Sequence, residues 1–123
     1  MNRILVIEDV PELQNLLSLI LKSQNLTVDV ASSKQQADTL LQQLPRLVIL
    51  DLDFEFFNGG GTKMYTEIRT DARYQHIPVL ILSTDTKVLA MYKNLYKAVT
   101  LDKPFDLTTI TGKVRSLLNK MAV

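Results

Sequence analysis

The chain alternates short unbroken apolar runs with longer stretches in which apolar residues return every three or four positions. The unbroken runs are Ile4-Leu5-Val6-Ile7, Leu47-Val48-Ile49-Leu50, Val79-Leu80-Ile81-Leu82 and Ala98-Val99-Thr100-Leu101, with a less apolar candidate over Thr27 to Ala31. Strands of a parallel sheet are buried on both faces, so they read as continuous apolar runs. Between them lie helical stripes. Leu13, Leu16, Leu17, Ile20 and Leu21 share one face after Pro11, which suits a first helical turn, and Asn25 is a stop signal. Ser33 with Gln36 matches a capping box ahead of Ala37, Leu40, Leu41 and Leu44, and Pro45 breaks that segment. Met64, Tyr65 and Ile68 mark a third helix that ends before His76-Ile77-Pro78, and Val88, Leu89 and Tyr92 mark a fourth after Asp85. The last opens at Asp106, a good N-cap, with Leu107, Ile110, Val114, Leu117 and Leu118 predicted inward. This regular alternation predicts an α/β fold: a doubly wound five-stranded parallel sheet with right-handed crossovers and helices on both faces.

Composition narrows the class further. The 123 residues fit one domain with a single substantial core, and no repeat, linker or low-complexity tract divides them. Hydrophobic residues at 46% and charged residues at 22% are ordinary for a soluble globular protein. A net charge of +1 with scattered basic residues carries no polyanion signal, so direct nucleic-acid binding is not expected. The absence of cysteine excludes disulfides and thiolate metal sites and is compatible with a reducing cytoplasm. The N-terminal apolar run is too short for a membrane span and lacks the layout of a signal peptide.

The residues that end the apolar runs carry the candidate chemistry. The first run stops at Glu8-Asp9, the third-strand run at Asp51, the fourth at Ser83-Thr84, and the fifth passes through Asp102 to Lys103-Pro104. In open α/β sheets the ligand crevice lies beyond the carboxyl ends of the strands. Three carboxylates, a hydroxyl and an ammonium should therefore converge on one rim. Taken singly, Asp9 and Ser83-Thr84 read as helix caps and Lys103 as a solvated cation. Together they suit phosphoryl chemistry. Crowded carboxylates repel one another, and a hard divalent cation such as Mg²⁺ relieves that repulsion through oxygen ligands.

In this order and spacing, Glu8-Asp9, Asp51, Ser83 and Lys103-Pro104 resemble the receiver domain of two-component response regulators, over essentially the whole chain. Gly59, eight residues beyond Asp51, also sits where that family has glycine. The resemblance implies strand order 2-1-3-4-5, with the site at the switch between strands one and three. It implies Asp51 as the phosphoacceptor, taking its phosphoryl group from a histidine kinase or a histidine phosphotransfer protein. Asp9, Asp51 and the Asp53 backbone carbonyl are implied as ligands of Mg²⁺, with Mn²⁺ as a substitute and Glu8 acting through a water. Ser83, Thr84 and Lys103 are implied phosphate-binding groups, and Ser83 and the position of Thr100 are the implied switch. Slow self-dephosphorylation follows, with Asp53 and Asp85 near the expected water-access positions. Such a chain is a self-phosphorylating and self-dephosphorylating signalling domain without a conventional substrate. The expectation is a single cytoplasmic receiver domain over 1–123, with no output domain, acting on an unidentified downstream protein.

The sequence also departs from the family pattern. Glu55 replaces a common proline four residues after the acceptor, and the acceptor loop, with its triple glycine, is longer than usual. Phe56 and Phe57 in that loop are expected to pack beneath it rather than dock a partner. Thr100 occupies the place of the usual switch aromatic, three residues before Lys103, and Tyr96-Lys97 replaces the usual Gly-Ala. A small β-branched side chain cannot report by moving a ring in and out, so Tyr96 is the candidate substitute. His76, the only histidine, is expected in a loop or at an edge. Two alternatives remain. Asp51-Leu52-Asp53 resembles the nucleophile motif of haloacid dehalogenase-type phosphatases, and the altered loop and Thr100 suit a phosphorylation-independent interaction module.

Overall fold

In the computed structural model, which describes residues 3–53 and 60–121, five strands alternate with five helices. The order is β1 (Arg3–Ile7), α1 (Pro11–Lys22), β2 (Thr27–Ala31), α2 (Lys34–Leu41) and β3 (Leu47–Asp51). It continues with α3 (Gly60–Thr70), β4 (Val79–Ser83), α4 (Thr86–Tyr96), β5 (Val99–Asp102) and α5 (Leu107–Met121). The strands form one parallel sheet in the order β2-β1-β3-β4-β5, as predicted. Glu55, Phe56, Phe57 and Gly59 lie outside the described residues.

Alternate residues of each strand feed opposite faces of the sheet. Leu5, Ile7, Val48, Leu50, Val79 and Ile81 pack with buried residues of α2, α3 and α4. Ile4, Val6, Leu47, Ile49, Leu80 and Leu82 pack with α1 and α5. The chain builds outward from β1 in both directions, and the crevice therefore opens between the ends of β1 and β3.

The predicted helical stripes are wider than the faces the sheet covers. Leu16 is 46% exposed, because the sheet receives Leu17, Ile20 and Leu21 and leaves Leu16 on the flank. Leu44 is 59% exposed: α2 already ends at Leu41, and Leu44 sits in a left-handed turn at φ 54. Leu107 is 58% exposed as the first residue of α5. Helical side chains lean toward the N-terminus, so a first residue overhangs the sheet instead of covering it.

Caps fix the helix starts near the rim. Asp85 Oδ1 accepts from the backbone N–H groups of Lys87 and Val88, and Asp106 Oδ1 from that of Thr109. Asp9 is not the cap of α1; that position is Val10, which lacks a side-chain cap. The start of α3 is set differently. Gly60 takes the left-handed φ of 59, and Gly61 lies on the backbone that leaves β3. A Cβ at Gly61 would come within 2.7 Å of both the Asp51 carbonyl oxygen and Leu52 Cα. Gly61→Ala must push α3 off β3, which should cost about 1–3 kcal/mol of stability and lower the urea midpoint to match. An unchanged midpoint would contradict this close approach.

Candidate functional site

The crevice brings the predicted groups together. β1 delivers Glu8 and Asp9, β3 ends in Asp51, β4 ends in Ser83, and the segment after β5 supplies Lys103. In the sheet register Asp51 pairs with Leu82 and Ser83 with Asp102, so β3 and its neighbours end at one level. The backbone N–H of Lys103 donates to the Ser83 carbonyl at 3.0 Å, extending the ladder past β5. The Lys103–Pro104 peptide is cis.

Asp51 is 2% exposed and is held from both sides. Its Oδ2 accepts from Lys103 Nζ at 2.6 Å, and its Oδ1 accepts from the Asp53 backbone N–H at 2.8 Å. Lys103 Nζ also lies 3.2 Å from Asp53 Oδ2. Burial alone lowers the lysine pKa, but the two carboxylates outweigh it and raise the group above its ordinary value. Lys103 is therefore a firmly charged ammonium.

Glu8 is fully buried. Its Oε1 accepts from the backbone N–H groups of Asp9 and Val10 at 3.1 and 3.0 Å, which aims the carboxylate into the crevice. Gln14 Nε2 donates to the Glu8 carbonyl at 2.5 Å and fixes the same turn from α1. Glu8 Oε2 has no hydrogen-bond partner among the described residues. Burial first, and the adjoining Asp51 carboxylate second, push the Glu8 pKa up to about 8. Carboxylate oxygens of Glu8, Asp9 and Asp51 lie within 4.8 Å of one another. An oxygen-only donor set with one buried, unsatisfied oxygen fits a hard divalent cation, which would offset the mutual repulsion.

The sequence gives Asp53 a backbone-carbonyl role and a place near an expected water-access position; its side chain has a further part. The carboxylate reaches across the crevice, where Oδ1 accepts from Ser83 Oγ at 2.8 Å. Oδ2 accepts from the Thr84 backbone N–H at 2.9 Å and from Thr84 Oγ1 at 3.1 Å. Burial raises the Asp53 pKa, but the hydrogen bonds from Ser83, Thr84 and Lys103 prevail and lower it. Ser83 Oγ in turn accepts from the Asp85 N–H at 2.9 Å, joining the site to the first turn of α4.

Away from the rim, Thr100 is half-buried in β5 opposite Ile81, and its carbonyl accepts from Lys113 Nζ at 2.6 Å. Tyr96 is 55% exposed and belongs to an aromatic cluster that the sequence reading missed. Its ring centroid lies 5.2 Å from that of Tyr92 and 5.8 Å from that of Tyr65, which are themselves 5.1 Å apart. The four-residue spacing of Tyr92 and Tyr96 was the available signal for half of that cluster. His76 is exposed in the turn before β4, as expected.

Comparison with known proteins agrees with this fold. The sequence model of the family described as "Response regulator receiver domain" matches residues 4–115. The chain is 34% identical over 121 residues to the transcriptional regulatory protein PmrA of Pectobacterium parmentieri, covering 96% of this chain and 53% of that protein. It is 31% identical over 123 residues to the DNA-binding dual master transcriptional regulator RpaA of Synechocystis sp., covering 98% of this chain and 50% of that protein. The chain thus spans about half the length of these curated relatives. Among solved structures, the fold is similar to the chemotaxis protein CheY4 of Vibrio cholerae, with a TM-score of 0.82 and 21% identity over 95% of this chain and 98% of that one. It is also similar to the BeF3-activated receiver domain of Klebsiella pneumoniae RstA, with a TM-score of 0.80 and 21% identity over 95% of this chain and 98% of that one. No helix among the described residues is long and apolar enough to cross a membrane.

Proposed function

This chain belongs to the response regulator receiver domain family, and on that premise we propose that Asp51 is its phosphoacceptor in signalling from a phosphohistidine donor. The observation that carries the reading is the placement of a buried carboxylate between an ammonium and an acidic cluster, at the strand ends where a ligand can approach. One Asp51 carboxylate oxygen attacks the phosphorus as the P–N bond of the phosphohistidine breaks. The bonding pair leaves with the imidazole, which ends protonated and neutral after taking one proton. Phosphoryl transfer asks the protein mainly for alignment and charge neutralisation. Lys103 Nζ neutralises the phosphoryl oxygens from one side, and Ser83 Oγ with the Thr84 N–H donates hydrogen bonds from another. Mg²⁺, or Mn²⁺ in its place, would be held by Asp9, Asp51 and the Asp53 backbone carbonyl, with Glu8 acting through water, and supplies further charge neutralisation when bound. Water later attacks the phosphorus, returning the Asp51 carboxylate and inorganic phosphate.

The donor in this reading is a histidine kinase or a histidine phosphotransfer protein, and the setting is the cytoplasm. Two of the relatives are named as transcriptional regulators, one of them DNA-binding; those words describe proteins of which this chain spans about half. The reading is tested by incubation with acetyl phosphate. Labelling should be stoichiometric, require Mg²⁺ and stop on chelation. Mg²⁺ alone should also raise thermal stability, by about 2.7 kcal/mol at a hundredfold excess over its Kd, and Asp9→Asn should lose most of that gain. Continuous turnover of phosphomonoesters would instead support the dehalogenase-type reading. Absence of labelling in folded, Mg²⁺-loaded protein would support the phosphorylation-independent module.

A further inference from the structure

The Asp53 carboxylate occupies the donors that the acceptor reading reserves for a phosphoryl group. It takes hydrogen bonds from Ser83 Oγ, the Thr84 N–H and Thr84 Oγ1, and lies in ion-pair range of Lys103 Nζ. These contacts use the roughly four acceptor positions that a carboxylate has. Each residue named for phosphate binding therefore already has a carboxylate partner. The segment they hold runs into α4, because Ser83 Oγ also accepts from the N–H of Asp85, the helix cap.

We propose that Asp53 is an internal substitute for the phosphoryl group, engaging Ser83, Thr84 and Lys103 before phosphorylation and vacating them when Asp51 is modified. The inference rests on Asp51 being the acceptor. A phosphoryl group on Asp51 and the Asp53 carboxylate compete for the same three residues, and as like charges they repel at close range. Asp53 has a way out, since its side chain is 31% exposed while Asp51 is sealed at 2%. Two consequences follow. Phosphorylation must displace a set of charge-assisted hydrogen bonds, so the unmodified state resists it. The Ser83–Thr84 segment is also drawn toward the crevice already, so modification exchanges one anion for another there.

The test uses Mg²⁺ with beryllofluoride, a phosphoryl surrogate for aspartate, on wild type, Asp53→Ala and Asp53→Asn, followed by amide NMR. Without the probe, the Thr84 amide proton should lie downfield in wild type and move upfield in Asp53→Ala. The Asp53→Asn variant, which retains one oxygen acceptor, should fall between them. At saturating Mg²⁺ the probe should bind about tenfold more tightly to Asp53→Ala, and the Thr84 resonances of the bound forms should converge. Equal affinity in the three proteins with an unmoved Thr84 amide would overturn the substitution while leaving the acceptor reading intact. Failure of the probe to bind any of them would overturn both.

Discussion

Asp51→Asn should reduce labelling by acetyl phosphate to background, a loss of about a thousandfold or more, because an amide cannot supply the attacking oxygen. The surrounding acids do not offer a substitute nucleophile. Glu8 is fully buried, with one oxygen tied to the Asp9 and Val10 N–H groups. Asp53 is committed to Ser83, Thr84 and Lys103. The variant should nevertheless stay folded, because two effects oppose one another. Losing the Asp51 charge breaks the 2.6 Å pair with Lys103, but it also relieves the repulsion that, after burial, raises the Glu8 pKa to about 8. Their sum should leave stability within about 1 kcal/mol of wild type. Parallel labelling and urea unfolding separate the two effects, and peptide mapping locates any remaining phosphate. Undiminished labelling, or phosphate mapped to Asp9 or Asp53 in the wild type, would remove Asp51 from the acceptor role.

The rim was legible in the sequence because parallel strands advertise themselves twice. Each is an unbroken apolar run, and each run has an abrupt polar end, so Glu8, Asp51, Ser83 and Lys103 could be placed at one level before any contact was known. Helix faces were less legible. Period and composition say that Leu16, Leu44 and Leu107 are apolar, but how far the sheet extends beneath each helix decides whether they are covered, and all three are exposed. The Asp53 contacts were out of reach for a different reason. They join residues 30 and 31 positions apart through side-chain oxygens. No local propensity encodes which of several nearby carboxylates will take a shared set of donors. Asp53 could be recognised as an extra charge near Asp51; its partners follow only from the three-dimensional arrangement.

Lys103→Ala should produce the second large effect, and it should appear in both stability and chemistry. Lys103 bridges Asp51 and Asp53 at 2.6 and 3.2 Å. Removing it leaves Asp51 almost sealed from solvent beside Glu8, still accepting from the Asp53 N–H. Breaking a pair in this way is costly because the surviving charge stays buried. Here the loss should be about 2 kcal/mol, less than for a fully enclosed pair, since the Lys103 and Asp53 side chains retain 16% and 31% exposure. Measured by urea unfolding with chelator present, that deficit is free of any metal contribution. Labelling by acetyl phosphate should fall by about a hundredfold with Mg²⁺ restored, as expected for loss of a cation aimed at developing phosphoryl charge. Lys103→Arg separates the two roles. Its charge should recover most of the stability, but a planar guanidinium on a longer head cannot sit between two carboxylates as a compact ammonium does, so labelling should stay low. Full labelling in the alanine variant would show that Lys103 only balances charge in the resting protein and takes no part in holding the phosphoryl group.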